Sequence, residues 1–177
     1  MTQIIRSTRA SRNKAKGNKF ENDIAKTLSN WMFGNEITLG RDITSGAIKT
    51  GYYQGDIIPV APIPFKEFIF FIETKNGYAS KTPTFNNFDI IKLWLLKCIK
   101  FRTERQCIIY LIAKFSNKTP LLITDVPLNI FTELMLNLKV EELNKEIPFF
   151  IYDLRELLKY NFLDLYRNNK LVMEILS

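Results

Sequence analysis

A chain of 177 residues that is 46% hydrophobic and 13% aromatic suits one α/β domain with a packed core, and lies far from the depleted composition of a disordered protein. The chain has no histidine, which excludes a Ser-His-Asp triad, a Cys-His pair and any histidine-bearing zinc site. The net charge of +7 is unevenly placed. Residues 1–19 carry Arg6, Arg9, Arg12, Lys14, Lys16 and Lys19 with no acid, and taking those six from the 25 basic residues leaves 19 against 18 acidic ones.

In chain order, residues 1–16 read as a basic arm, flexible when free, whose charges could neutralise phosphates or simply solubilise the chain. From Gly17 the spacing of Phe20, Ile24, Leu28 and Trp31 predicts an amphipathic helix, with Gly34 ending it. Glu36 to Asp42 predicts a short strand, Ile43 to Tyr53 a loop, and Asp56 to Val60 a second strand. Pro62 and Pro64 cannot continue a central strand, so they should turn the chain into a strong strand from Glu67 to Lys75. A polar loop over residues 76–87 precedes a buried helix from Phe88 to Phe101 and a core strand from Gln106 to Phe115. The remaining third predicts strands at Leu121 to Thr124 and Pro148 to Tyr152, and helices at Pro127 to Leu138 and Asp153 to Tyr160. The longest apolar stretches, Ile90 to Ile99 and Cys107 to Ala113, are much shorter than the ~20 residues a bilayer requires. With no secretory signal visible, the expected location is intracellular: cytoplasm, nucleoid, or a host cell if the protein is viral. Cys98 and Cys107 sit in apolar runs and read as buried thiols without chemistry.

On an extended strand Glu73 and Lys75 share a face, because side chains alternate. If the two prolines close a hairpin, the strands pair antiparallel and Asp56 comes beside Glu73 and Lys75. Two carboxylates and a lysine at adjoining strand ends suit a hard cation such as magnesium, which prefers oxygen ligands. Such an ion promotes phosphodiester hydrolysis by polarising the phosphoryl oxygen and acidifying a water, while lysine orients that water or screens developing charge.

Three segments carry a resemblance: Lys16-Gly17-Asn18-Lys19-Phe20-Glu21 opening the first helix, Gly55-Asp56-Ile57-Ile58, and Phe71-Ile72-Glu73-Thr74-Lys75. Together they resemble the PD-(D/E)XK nucleases, most closely the archaeal-type Holliday junction resolvases. The resemblance implies a restriction-endonuclease-like fold, a central mixed β-sheet flanked by helices. It implies Glu21, Asp56 and Glu73 as metal ligands, Lys75 as the catalytic lysine, and Mg2+ as cofactor with Mn2+ able to substitute. Resolvases of this type also carry a basic residue and a serine-glycine pair between helix and aspartate. Arg41 and Ser45-Gly46 occupy that place, making Ser45 a substrate-side candidate. The DNA-binding candidates are Arg9, Arg12, Lys14, Lys16, Lys19, Arg41 and Lys49. The similarity covers residues 14–115. Gln54-Gly55 stands where a proline usually precedes the motif aspartate, and residues 116–177 have no counterpart that aligns.

The domain organisation expected is a basic arm over residues 1–16 and one nuclease domain over 17–177, with a core to about 115 and a C-terminal extension. The expected partner is DNA, branched in the resolvase reading, with no membrane and no small-molecule cofactor. A resolvase cuts two strands at symmetric places, which calls for a homodimer. A restriction-type or repair nuclease, a non-catalytic DNA-binding module and a subunit docking through residues 116–177 are the alternatives.

Overall fold

A computed structural model describes residues 2–43, 55–77, 89–104, 107–115, 118–130 and 134–176. The long helix α1 (Thr2–Phe33) ends at Gly34, whose φ of +71° suits a residue without Cβ. Strands β1 (Leu39–Arg41) and β2 (Ile57–Pro59) pair antiparallel. Then come β3 (Phe70–Asn76), helix α2 (Asp89–Glu104), β4 (Ile108–Lys114), β5 (Leu121–Thr124), β6 (Leu134–Val140) and β7 (Lys145–Asp153). Helices α3 (Leu154–Leu157) and α4 (Lys170–Leu176) close the described chain.

The main sheet has five strands in the order β3-β4-β5-β7-β6. β3 and β4 run parallel and the other neighbours antiparallel. This is the expected mixed sheet with helices on both faces. Alternation along the strands sorts the apolar residues into two layers. Phe70, Ile72, Tyr110, Ile112, Leu122 and Tyr152 pack with Phe20, Ile24 and Leu28 of α1. Phe71, Ile109, Leu111, Ile123 and Phe149 pack with Trp94, Leu95 and Cys98 of α2. Because both faces are covered, β4 is apolar and buried along nearly its whole length, which is why it reads as a continuous run and not an alternating one.

Four expectations need correction. First, β2 and β3 do not form a hairpin. Gly55 bridges Ile72 in parallel, and the Asp56 amide donates to the Ile72 carbonyl at 2.8 Å. The chain between them leaves the sheet: Phe65 stacks on Phe162, and Lys66 bonds the carbonyls of Glu174 and Ile175. The prolines stop the strand, as expected, but the turn they begin is a detour to the C-terminal segment, and the chain returns in the same direction. Second, residues 2–16, read as a basic arm flexible when free, are the N-terminal half of the α1 backbone. Alanine, arginine and lysine are good helix formers, and no proline interrupts them. Third, the helix expected over Pro127 to Leu138 is replaced by β6. There Leu134, Leu136, Leu138 and Val140 face inward while Met135, Asn137 and Lys139 face solvent, a period of two. Fourth, the helix from Asp153 is short, with Asp153 capping it through the amides of Arg155 and Glu156.

The C-terminal third is integral to the fold. β5, β6 and β7 complete the sheet, and Trp31 of α1 donates its indole N–H to the Tyr160 carbonyl at 2.9 Å while meeting Phe162 edge-on. No described helix is long and apolar enough to cross a membrane. Cys98 is buried and not in a disulfide.

Candidate active site

The two-stranded β1–β2 unit meets the main sheet at Gly55-Asp56, and this joint positions the first carboxylate. Gly55 has φ +118°, and a Cβ there would lie 2.6 Å from the Ile72 carbonyl oxygen. Only glycine lets the backbones approach this closely. Asp56, next in the chain, is held from both sides of the joint: Asp42 donates its amide to the Asp56 carbonyl at 2.8 Å, and Asp56 donates its own to Ile72. Its carboxylate accepts from Thr74 twice on one oxygen, Oδ2: from the amide at 2.7 Å and from Oγ1 at 3.2 Å. Asp56 Oδ1 makes neither bond.

Thr74 lies between Glu73 and Lys75 on β3. As expected, the flanking pair shares one side of the strand, and the Lys75 ammonium donates to Glu73 Oε1. Behind them, Cys98 of α2 has its thiol pushed up to about 12, first by burial and then by the Glu73 carboxylate, so it stays protonated and inert.

Glu21 enters from α1 and pairs with Arg41 of β1, with Arg41 Nε 2.7 Å from Glu21 Oε2 and about one fifth of each side chain exposed. It sits well inside α1, so the helix N-terminus cannot account for an acid at this position. Its pKa is raised above the ordinary 4.5. Burial is the main cause and the Asp56 charge adds to it, while Arg41 and Lys75 pull the other way. Glu21, Asp56 and Lys75 therefore lie within electrostatic reach of one another, on α1, at the start of β2 and near the end of β3. The same end of β3 touches α1 directly, as Asn76 Nδ2 donates to the Lys16 carbonyl at 3.5 Å.

Of the other sequence candidates, Arg12, Lys14, Lys16 and Lys19 are exposed on α1. Ser45 and Lys49, and the side chain of Arg9, fall outside the described residues. Sequence reasoning missed Thr74 as a partner of Asp56. Strand alternation put it on the face away from Glu73 and Lys75, and nothing in the sequence showed that an amide and a hydroxyl would both reach sideways to the neighbouring strand.

Three carboxylates with no histidine or thiolate are the donor set of a hard divalent cation. Among the described residues, however, no three such side chains are gathered closely enough to hold an ion together. Glu73 lies on Lys75 and Glu21 on Arg41. The donors fit by type, and a cation taking all three would require both ion pairs to open.

A family model described as "Phage putative PDDEXK endonuclease" matches residues 12–166, which takes in α1 from Arg12, all seven strands and α2. The match reaches well beyond residue 115, where the resemblance read from the sequence stopped. No curated protein and no solved structure matches the chain.

Proposed function

Because the chain belongs to the phage PD-(D/E)XK endonuclease family, and so is a nuclease of a superfamily that in general uses divalent metals, we propose that it is a magnesium-dependent endodeoxyribonuclease acting on branched DNA as a homodimer. The observation that carries this reading is the joint between β2 and β3, where Asp56 is clamped by Ile72 and Thr74, and Thr74 stands between Glu73 and Lys75 on β3. Glu21, Asp56 and Glu73 would hold the ion, with Mn2+ able to replace Mg2+. When bound, such an ion polarises the phosphoryl oxygen and lowers the pKa of a water.

The chain's own residues do the rest. Thr74 fixes the Asp56 carboxylate through two donors to one oxygen, so its orientation does not depend on solvent. Lys75, the only cation on the Glu73 face of β3, supplies an ammonium that orients an attacking water through its N–H groups or screens charge on the phosphate oxygens. The exposed bases Arg12, Lys14, Lys16 and Lys19 along α1 suit contacts to phosphates, and Ser45, Lys49 and Arg9 are proposed on the substrate side.

The preference for branched DNA rests on the likeness of the Lys16–Glu21, Gly55–Ile58 and Phe71–Lys75 segments to junction resolvases. The homodimer rests on the two-fold symmetry of paired cuts and on Leu93 and Leu96, which α2 leaves 59% and 41% exposed. Cleavage of linear duplex, single strand, flap and four-way junction in magnesium tests the proposal. The expected result is paired nicks in the junction by a species that sediments as a dimer. Equal cleavage of linear duplex by a monomer would refute the junction and dimer readings, and no cleavage of any substrate would refute the enzyme.

A further inference from the structure

Arg41 occupies a position that phosphate contact alone does not explain. Its backbone is fixed in β1 opposite Ile57, one residue beyond Asp56, so only the side chain has freedom to move. Its guanidinium is spent on Glu21 in a pair largely withdrawn from water, where screening is weaker than at an open surface. The Lys75–Glu73 pair differs: both partners lie on one strand two residues apart, so the ammonium stays near the carboxylate whatever else binds. Arg41 and Glu21 belong to separate elements, and a long side chain joins them.

A divalent cation seeking Glu21 meets two obstacles, the occupied oxygen and the like charge of the guanidinium. Displaced, the guanidinium would be a desolvated positive fork beside the site, and phosphate oxygens are the acceptors that match its geometry. We infer that Arg41 is an exchangeable counter-ion: it holds Glu21 when no cation is bound and transfers to a DNA phosphate when one is, so that metal and DNA each favour the other's binding. The inference rests on the metal-ligand role proposed for Glu21. Linkage makes the effect reciprocal, because whatever metal gains from DNA through Arg41, DNA gains from metal.

The sign of one measurement separates this from a purely structural pin. If Arg41 merely positioned Glu21, Arg41→Gln would weaken metal binding. As a counter-ion its removal strengthens it. Calorimetric titration of the DNA-free protein with Mg2+ alone is expected to show binding about fivefold tighter in Arg41→Gln than in wild type, since a competing charge near the ion is gone. Arg41→Lys, which keeps the charge, should stay close to wild type, and it also reports on whether the site tolerates substitution. DNA binding supplies the second readout. In Ca2+ buffer the salt slope of Arg41→Gln should be shallower than wild type by about 1, the loss of one phosphate contact, whereas without divalent cation the two slopes should coincide. Unchanged or weaker Mg2+ binding in Arg41→Gln, or a slope change that is the same with and without Ca2+, would overturn the inference. A wild-type chain that takes up no Mg2+ at all would instead remove the proposed metal site on which it stands.

Discussion

Replacing Gly55 by alanine tests whether the joint between the two sheets is what places Asp56. The added Cβ would lie 2.6 Å from the Ile72 oxygen and 3.1 Å from its nitrogen, both backbone atoms of β3, which its pairing with β4 along the whole strand holds in place. A left-handed φ of +118° adds backbone strain of roughly 1–3 kcal/mol for an L-residue. Relieving the clash means pulling β2 away from β3, which breaks the 2.8 Å bond from Asp56 to Ile72, about 1 kcal/mol more. The sum is about 3 kcal/mol, or a fall in Tm of roughly 6–12 °C for a domain of this size. Gly34→Ala is the internal control: its φ is also positive, at +71°, but a Cβ there meets nothing within 4 Å, so only the strain remains. Urea denaturation of both variants measures the difference, and cleavage assays on the folded Gly55→Ala protein should show a loss of about a hundredfold from the displaced carboxylate. If Gly55→Ala is no less stable than Gly34→Ala, or cuts DNA at the wild-type rate, the geometric account of Asp56 is wrong.

Asp56→Asn and Glu73→Gln should each abolish metal-dependent cleavage while circular dichroism and DNA binding without divalent cation stay near wild type; normal turnover in either would place the site elsewhere. Lys75→Ala should slow single-turnover cleavage by orders of magnitude with Mg2+ still bound, and parallel loss of Mg2+ affinity would contradict the role given to the ammonium. Glu21 has a folded-state pKa raised above its ordinary value, so the stability it contributes is present below the unfolded value and lost as pH rises through the folded one. Wild type should therefore lose stability relative to Glu21→Gln as pH rises above the ordinary value of 4.5, measured by urea denaturation at each pH, and a constant difference would show that burial of this carboxyl carries no such cost. Deleting residues 1–16 removes Arg6, Arg9, Arg12, Lys14 and Lys16, and DNA binding should weaken for every sequence with a shallower salt dependence; an unchanged slope would make this half of α1 a bystander.

Strand β3 was legible because its signals are local. An apolar run ending in Glu-Thr-Lys can only be a buried strand whose last turn of alternation reaches solvent, and α1 declared itself from Phe20 onward by a stripe that the core then buried. The β2–β3 direction was not legible, because it depends on where residues 60–69 travel. Those residues are fixed by Phe33, Phe162 and the α4 carbonyls, all distant in sequence. The alternation of β6 was present in Leu134 to Val140 but lost to a helical reading, since Leu, Met, Asn and Lys are at home in either period and only pairing with β7 decides. The Glu73–Lys75 pair follows from alternation on one strand, whereas the pairing of Glu21 with Arg41 is a matter of side-chain reach across elements, which no spacing rule expresses.

The Thr74–Asp56 contact carries a practical consequence for anyone wanting an inactive form of this protein. Asp56 is both a candidate ligand and a rivet, since the carboxylate oxygen that takes the Thr74 amide fastens the small sheet to the large one. Alanine at this position would strip the rivet along with the charge, leaving a buried amide without its acceptor, at a penalty of about 1–3 kcal/mol. Any lost activity would then be confounded with a loosened scaffold. Asparagine keeps a carbonyl oxygen for Thr74 and discards only the negative charge, so a silent copy that still grips its DNA, whether made by selection or at the bench, should carry asparagine at that position.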